Sequence, residues 1–442
     1  MNKETVQYYL IRILMFPFGL LPYSWIHLIG KGLGIVGFYC MREYRKRAFS
    51  NLSLATDLKL SPKDVIKIAK QSFQNLAINC LEYTKLSFVS NFSKAIQCVN
   101  PEVANDLYKQ GRGIIFFCGH QSNWEVLFLD GNTRMRGVAI GKSIKNKRLY
   151  NWIISIREKN GGKIISPQNA VREGFRALKK GIFMGIVGDQ GMPDSGYSFP
   201  FFGRKAWTST APALLAYKTG CPIIYASTRR VKGGYRIHYS DPIWPNANQP
   251  IESAVVTMMD QVLSLMQENI KKHPGEWLWQ HNRWKQQSLK TLYKRFRMDS
   301  ICIILPQDEE KLNRLLPHLH TLKSIYANDF VSILAPKNCA NLPKVDEVIE
   351  YVDLKEVLLN DYRFKLIFNF ADYEPAKKHY EKLSAFEIVD LGTLKKLADQ
   401  HLPEHLKDDI SEIFKRSLCR PGSIWQNDFT SDKSLSKMSL ST

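Results

Sequence analysis

Residues 13–30 read ILMFPFGLLPYSWIHLIG, a run with no formal charge between Arg12 and Lys31. Its length sits at the short end of what crosses a bilayer core, about 17–25 residues. GLGIVGFYCM prolongs the apolar character to Met41, and a basic cluster from Arg42 to Arg47 follows. The apolar part is long and no small-residue cleavage site precedes a new start, so a cleavable signal fits poorly. The pattern predicts a membrane-anchoring helical segment over residues 1–48, against the plainer reading of a buried core helix. Pro17, Pro22 and His27 leave a spanning and an interfacial placement both open. The basic cluster suits an anionic cytoplasmic leaflet.

Beyond it, PKDVIKIAKQSFQNLAINCLEY repeats apolar residues at three- and four-residue steps, which predicts a helix. Ser61-Pro62 marks its start, the serine as cap and the proline at the first position. From Arg112 the texture changes. Short apolar runs rich in β-formers recur: GIIFFCGH, VAIG (138–141), KIIS (163–166), IFMGIVGD (182–189) and PIIYAS (222–227). Helical patterns fall between them over residues 148–159, 169–179 and 208–219, and again over 252–272. Buried strands alternating with helices predict an α/β fold with a largely parallel central sheet. After Ser300 a new β-α-β series begins with ICIILP, FVSILAP, KLIFNFA and FEIVDL, a second, smaller Rossmann-like unit without a Gly-rich phosphate loop.

The 442 residues allow two or three domains. The formal net charge of +21 divides unevenly, +24 over residues 1–300 and −3 over residues 301–442. The break places a domain boundary near Ser300. The expected domains are residues 1–48, 49–290 and 299–421, with a disordered polar tail over 422–442. So basic a first region calls for an anionic partner. Scattered basic residues without a recognition motif argue against nucleic acid. Eight cysteines form no CxxC pair and no zinc spacing, so free thiols and no metal are expected.

The strongest chemistry lies at His120-Gln121-Ser122-Asn123-Trp124-Glu125, directly after GIIFFCG. Open α/β sheets bind ligands at the carboxyl ends of their strands, where this histidine falls. An imidazole there can take a proton from a hydroxyl, and Glu125 can hold its other nitrogen. Five helical steps of about 100° would separate the two residues, so His120 must sit on the turn and Glu125 in the early helix. A helix-capping pair is the plainer reading. Gly188-Asp189-Gln190 ends another strand, and Arg204-Lys205 follow Phe202-Gly203; these polar groups suit a phosphate or an acyl carbonyl, or merely form a turn and a solvated loop. Arg157, near a helix end, means little alone.

Together these residues resemble the late acyltransferases of lipid A biosynthesis. The resemblance covers most of residues 1–285. It rests on the Arg-rich run ending Arg47-Ala48-Phe49-Ser50-Asn51-Leu52, the H-x-x-x-x-D/E motif with Asn123-Trp124 inside it, and Arg157 ahead of a glycine. It continues through Gly188-Asp189-Gln190 and Phe202-Gly203 to Trp277-x-Trp279-x-His281-x-Arg283-Trp284-Lys285. The H-x-x-x-x-D/E motif alone is shared with glycerolipid acyltransferases. The resemblance implies a glycerolipid-acyltransferase-like αβ sandwich, an acyl carrier protein thioester as donor, and a hydroxyacyl chain of a Kdo-bearing lipid A precursor as acceptor. It implies His120 and Glu125 as the catalytic pair, and Asn123, Arg157, Asp189, Gln190 and Arg204 as substrate-binding. No cofactor is implied, and the expected location is the cytoplasmic face of the inner membrane.

Another phospholipid or glycolipid acceptor would use the same residues. The stretch from Leu305 through Tyr351 resembles the first nucleotide-fold half of a heptosyltransferase-type glycosyltransferase. Its sugar-nucleotide half is missing, and the resemblance assigns it no catalysis. Sugar-nucleotide binding over residues 299–421 is the reading from a different class.

Overall fold

A computed structural model describes residues 2–89, 95–194, 196–287, 293–399 and 403–420. The expected tail over 422–442 lies outside the described residues. The chain separates into two compact units, Met1–Lys285 and Gln286–Thr442.

The first unit opens with α1 (Lys3–Leu20), α2 (Tyr23–Cys40), α3 (Arg42–Leu54) and α4 (Pro62–Phe88). The uncharged window over 13–30 is therefore not one helix. The chain turns at Leu21-Pro22, because proline lacks the N–H a continuing helix needs and restrains the residue before it. Among the described residues no helix is long and apolar enough to cross a membrane. Of the two placements left open by the sequence, the spanning helix is not formed among the described residues, and a pair of helices packs on α4 instead. Gly34 lets α2 come close: a Cβ there would lie 2.3 Å from the Gln74 Cα. Helix α4 starts where the sequence indicates. The Ser61 hydroxyl accepts from the Asp64 N–H, and the Asp64 carboxylate accepts from the Ser61 N–H.

The following elements are β1 (Ile96–Cys98), α5 (Glu102–Lys109), β2 (Ile115–Cys118), α6 (Glu125–Arg134), β3 (Gly137–Ile140), α7 (Lys147–Arg157), β4 (Lys163–Ile165), α8 (Ala170–Lys179) and β5 (Phe183–Val187). Then come β6 (Gly196–Phe201), β7 (Arg204–Ser209), α9 (Ala211–Thr219), β8 (Ile223–Val231), β9 (Gly234–Tyr239) and α10 (Ile251–Lys272). Seven strands form one sheet in the order β1-β9-β8-β2-β5-β3-β4, parallel except for the β8–β9 pair. All four side chains of β2 are buried, as a central strand covered on both faces requires. Strands β6 and β7 form a separate hairpin whose turn residues Phe202 and Gly203 both have positive φ. Thr208, expected to open a helix, instead lies in β7.

The second unit holds β10 (Ser300–Ile304), α11 (Glu309–Leu315), α12 (Leu319–Ile325), β11 (Phe330–Pro336), β12 (Glu347–Tyr351), β13 (Leu366–Asn369), α13 (Glu374–Lys382), β14 (Glu387–Val389), α14 (Leu391–Asp399) and α15 (Ile410–Leu418). Its sheet runs β12-β11-β10-β13-β14 and is parallel throughout, the doubly-wound order of a Rossmann-like unit.

The α2–α4 contact yields a paired test. Gly34→Ala forces a methyl into the α4 backbone and should cost about 1–3 kcal/mol. Gly32→Ala, in the same helix with nothing within 4 Å, should gain about 0.5–1 kcal/mol from helix propensity. Chemical unfolding of the two variants checks the contrast.

Candidate active site

Strands β2 and β5 are parallel neighbours with Cys118 opposite Val187. Two residues beyond that pair, at the carboxyl ends of the strands, stand His120 and Asp189. The register thus brings two distant parts of the sequence together. His120 Nδ1 lies 2.6 Å from Asp189 Oδ1, and the His120 backbone N–H donates to Oδ2 at 2.6 Å. The indole N–H of Trp277 donates to the same Oδ2 at 2.7 Å. Gly119 leaves room for this: a Cβ there would lie 3.1 Å from Asp189 Oδ2. Asp189 is buried, which alone would push its carboxyl up. The charge of His120 and the hydrogen bonds from its ring, its N–H and Trp277 outweigh burial and hold it below the usual carboxylate range. The imidazole keeps Nε2 for another proton.

The expected His120–Glu125 pair is therefore corrected. Asp189, expected among the substrate contacts, holds the imidazole. Glu125 opens α6 and turns to Arg157 at the end of α7. Arg157 Nε donates to Oε2 at 2.8 Å and Nη2 to Oε1 at 2.5 Å. Nη2 also donates to the Tyr83 hydroxyl at 3.0 Å. This two-pronged geometry suits a guanidinium and fixes its plane. It leaves both Nη1 hydrogens unpartnered among the described residues. The physical reason for the correction is the turn: Ser122 has φ of 52°, so Asn123 and Trp124 lead the chain away before Glu125 enters its helix.

Asn123, expected among the substrate contacts, is 1% exposed. Its amide donates to Glu82 Oε2 at 3.0 Å and its Oδ1 accepts from the Glu125 N–H at 3.2 Å. Glu82, on α4 and fully buried, gathers several more partners. His27 Nε2 of α2 lies 2.8 Å from Oε1, the Tyr235 hydroxyl donates to Oε2, and Arg230 approaches Oε2 at 3.7 Å. Arg230 also donates to Asn75 and Asn79, whose amides donate in turn to the Ser122 carbonyl. The turn that carries His120 is thus pinned from below by α4. Gln190 is exposed beside Asp189. Arg204 starts β7 in the hairpin, half-buried.

The segment from Pro274 to Trp284 closes the site from the other side. Leu278 N–H donates to the His120 carbonyl at 3.0 Å, and Ser122 N–H to the Glu276 carbonyl at 2.8 Å. Ser72 donates to the Trp277 carbonyl, and Asn51 to the carbonyls of Trp279 and His281. Arg283 is buried, donating to the Trp207 carbonyl at 2.9 Å and to Thr208 Oγ1 at 2.6 Å with Phe201 beneath its guanidinium. His281, which sequence reasoning did not single out, also lies beside His120. Its ring lies 4.9 Å from that of His120, centre to centre. Burial first, then the neighbouring His120, lowers its pKa to about 4; Asp189 opposes the shift, and Lys285 and Arg47 add to it. Its only sequence signal was its place in the Trp277–Lys285 run.

The second unit offers no comparable constellation among the described residues. Helix α11 after β10 opens with Asp308, Glu309 and Glu310, negative charge where a nucleotide phosphate would sit.

The family model described as bacterial lipid A biosynthesis acyltransferase matches residues 2–286. No curated protein matches the chain.

The depressed His281 value has a measurable consequence. The folded state favours its neutral form. The resulting stability is fully present above the ordinary histidine value of about 6.5 and is lost as pH falls through about 4. Between those values the wild type should lose stability relative to His281→Gln, and the gap should stop changing below about pH 4; unfolding curves across pH 4 to 7 check it.

Proposed function

We propose that this chain, which belongs to the bacterial lipid A biosynthesis acyltransferase family, moves a fatty acyl chain from an acyl carrier protein thioester to a hydroxyacyl chain of a Kdo-bearing lipid A precursor. The family match supports acyl transfer in lipid A biosynthesis; the donor and the acceptor are our reading. The observation that carries the mechanism is the His120–Asp189 pair, with Nε2 of the imidazole left for a substrate hydroxyl.

In this reading His120 Nε2 takes the proton as the acceptor oxygen attacks the thioester carbonyl carbon. Asp189 holds the ring and stabilises the imidazolium. The tetrahedral intermediate then expels the carrier thiolate, which takes the proton back from His120. Glu125 and Tyr83 hold the Arg157 guanidinium in one plane, and its Nη1 donors meet an anionic group of the acceptor, a phosphate by its chemistry. Gln190 and Arg204 would complete the substrate contacts. The strongly basic charge over residues 1–300 supports an acidic carrier protein and a phosphorylated lipid as partners.

We also place the protein at the cytoplasmic face of the inner membrane, lying on it. Support comes from the apolar side chains that α1 and α2 leave in the open: Ile13 is 70% exposed, Leu20 64%, Trp25 57% and Leu28 62%. Exposed large apolar side chains concentrated on one helix pair are costly in water and suit an interaction face.

Two measurements test these assignments. Wild-type membranes incubated with labelled precursor and a panel of carrier thioesters should form a heavier lipid. His120→Ala should cut that rate by about 10³-fold or more, and full activity in that variant would refute the mechanism. The double variant Ile13→Glu/Leu28→Glu should lose most of its co-sedimentation with anionic vesicles, whereas unchanged sedimentation would refute the interfacial placement.

A further inference from the structure

The segment from Trp277 to Lys285 brings a second imidazole to the reacting centre. His281 sits 4.9 Å from His120, ring to ring, with the planes inclined at 52°. Trp124 packs edge-on to His120 at 4.6 Å, and Asp189 occupies Nδ1. His120 therefore has protein on several sides, one of them another titratable ring.

The backbone that carries His281 is fixed. Its N–H donates to the Leu278 carbonyl at 3.3 Å, and its own carbonyl accepts from Asn51. The side chain is different. Among the described residues neither ring nitrogen makes a hydrogen bond. The half-buried imidazole, on a fixed backbone beside the base, thus keeps its ring nitrogens for a bound group. Among its charged neighbours, Asp189 acts on the ring in one direction and Lys285 and Arg47 in the other. Burial keeps the ring neutral near pH 7, and a neutral imidazole retains one N–H to give.

Acyl transfer creates a negative charge. When the acceptor oxygen bonds to the thioester carbon, the carbonyl electron pair moves onto oxygen and must be stabilised until the thiolate leaves. A hydroxyl held at His120 Nε2 attacks a carbon about 3 Å away, and the spacing of the two rings puts the carbonyl oxygen of that carbon within reach of His281.

We propose that His281 is a further catalytic residue, whose ring N–H donates a hydrogen bond to the thioester carbonyl oxygen as it becomes an oxyanion. The proposal rests on the acyl-transfer reading above. His120 moves the proton; His281 moves none and stabilises the charge. Such a donor acts on kcat, since it is strongest only in the transition state.

The test compares steady-state transfer by the wild type, His281→Phe and His281→Gln in the full chain, with His120→Ala as the inactive control. Phenylalanine keeps the packing against His120 and has no donor. Glutamine restores one. The expected result is a fall in kcat of about 100-fold for His281→Phe, a KM for either substrate within about threefold of wild type, and recovery of about tenfold in His281→Gln. A purely structural role would depress both variants together and shift their unfolding midpoints in parallel, which would overturn the proposal. So would wild-type kcat in His281→Phe, or a loss carried by KM alone. Wild type no faster than His120→Ala would instead overturn the acyl-transfer reading itself.

Discussion

A buried carboxylate organises this molecule. Asp189 is 3% exposed, and an ion so far from water is stable only when its oxygens are filled by donors. The His120 ring, the His120 N–H and the Trp277 indole fill them. Each donor imposes a condition on the chain. The two from His120 rely on β2 and β5 being parallel neighbours in one register, and Gly119 favours them, since a Cβ there would lie 3.1 Å from Oδ2. The third requires Trp277 to fold back over the sheet edge. Once it does, Trp279, His281 and Arg283 follow, and Ser72 and Asn51 hold their backbone from α4 and α3.

A second buried carboxylate does for the turn what Asp189 does for the imidazole. Glu82 joins His27 of α2, Asn123 of the turn and Tyr235 of β9. The apolar helix pair is thereby tied to the chemistry. His27 interrupts the apolar run because it faces inward to Glu82, while Trp25 and Leu28 on either side face out. The same helix serves a buried polar network on one face and an apolar surface on the other.

The alternation of strands and helices was legible because buried parallel strands are apolar throughout and helices keep their period. Ser61-Pro62 announced α4 because capping chemistry is local. The hairpin of β6 and β7 was not legible: Pro200 and the paired Phe201-Phe202 obscure the alternation, and its signal was the Gly203 turn alone. His120 was found from strand, glycine and position. Its partner was misassigned because sequence distance favours Glu125, whereas the sheet register favours Asp189, a residue found only once strand order is known. Asn123 was expected among the substrate contacts from the resemblance alone; in the fold its amide donates to Glu82. The turn at Leu21-Pro22 was visible as a weakness in the apolar run, and the fold made it a break.

The central claim is that Asp189, not Glu125, works through His120. Acyl-transfer rates in a double-mutant cycle test it most directly, because residues that act as one unit are strongly non-additive. The account predicts that Asp189→Ala costs little further once His120→Ala is present, while Glu125→Gln lowers the residual rate by a similar factor in either background. Full additivity of Asp189 with His120, together with loss of the Glu125 effect in the His120→Ala background, would contradict it.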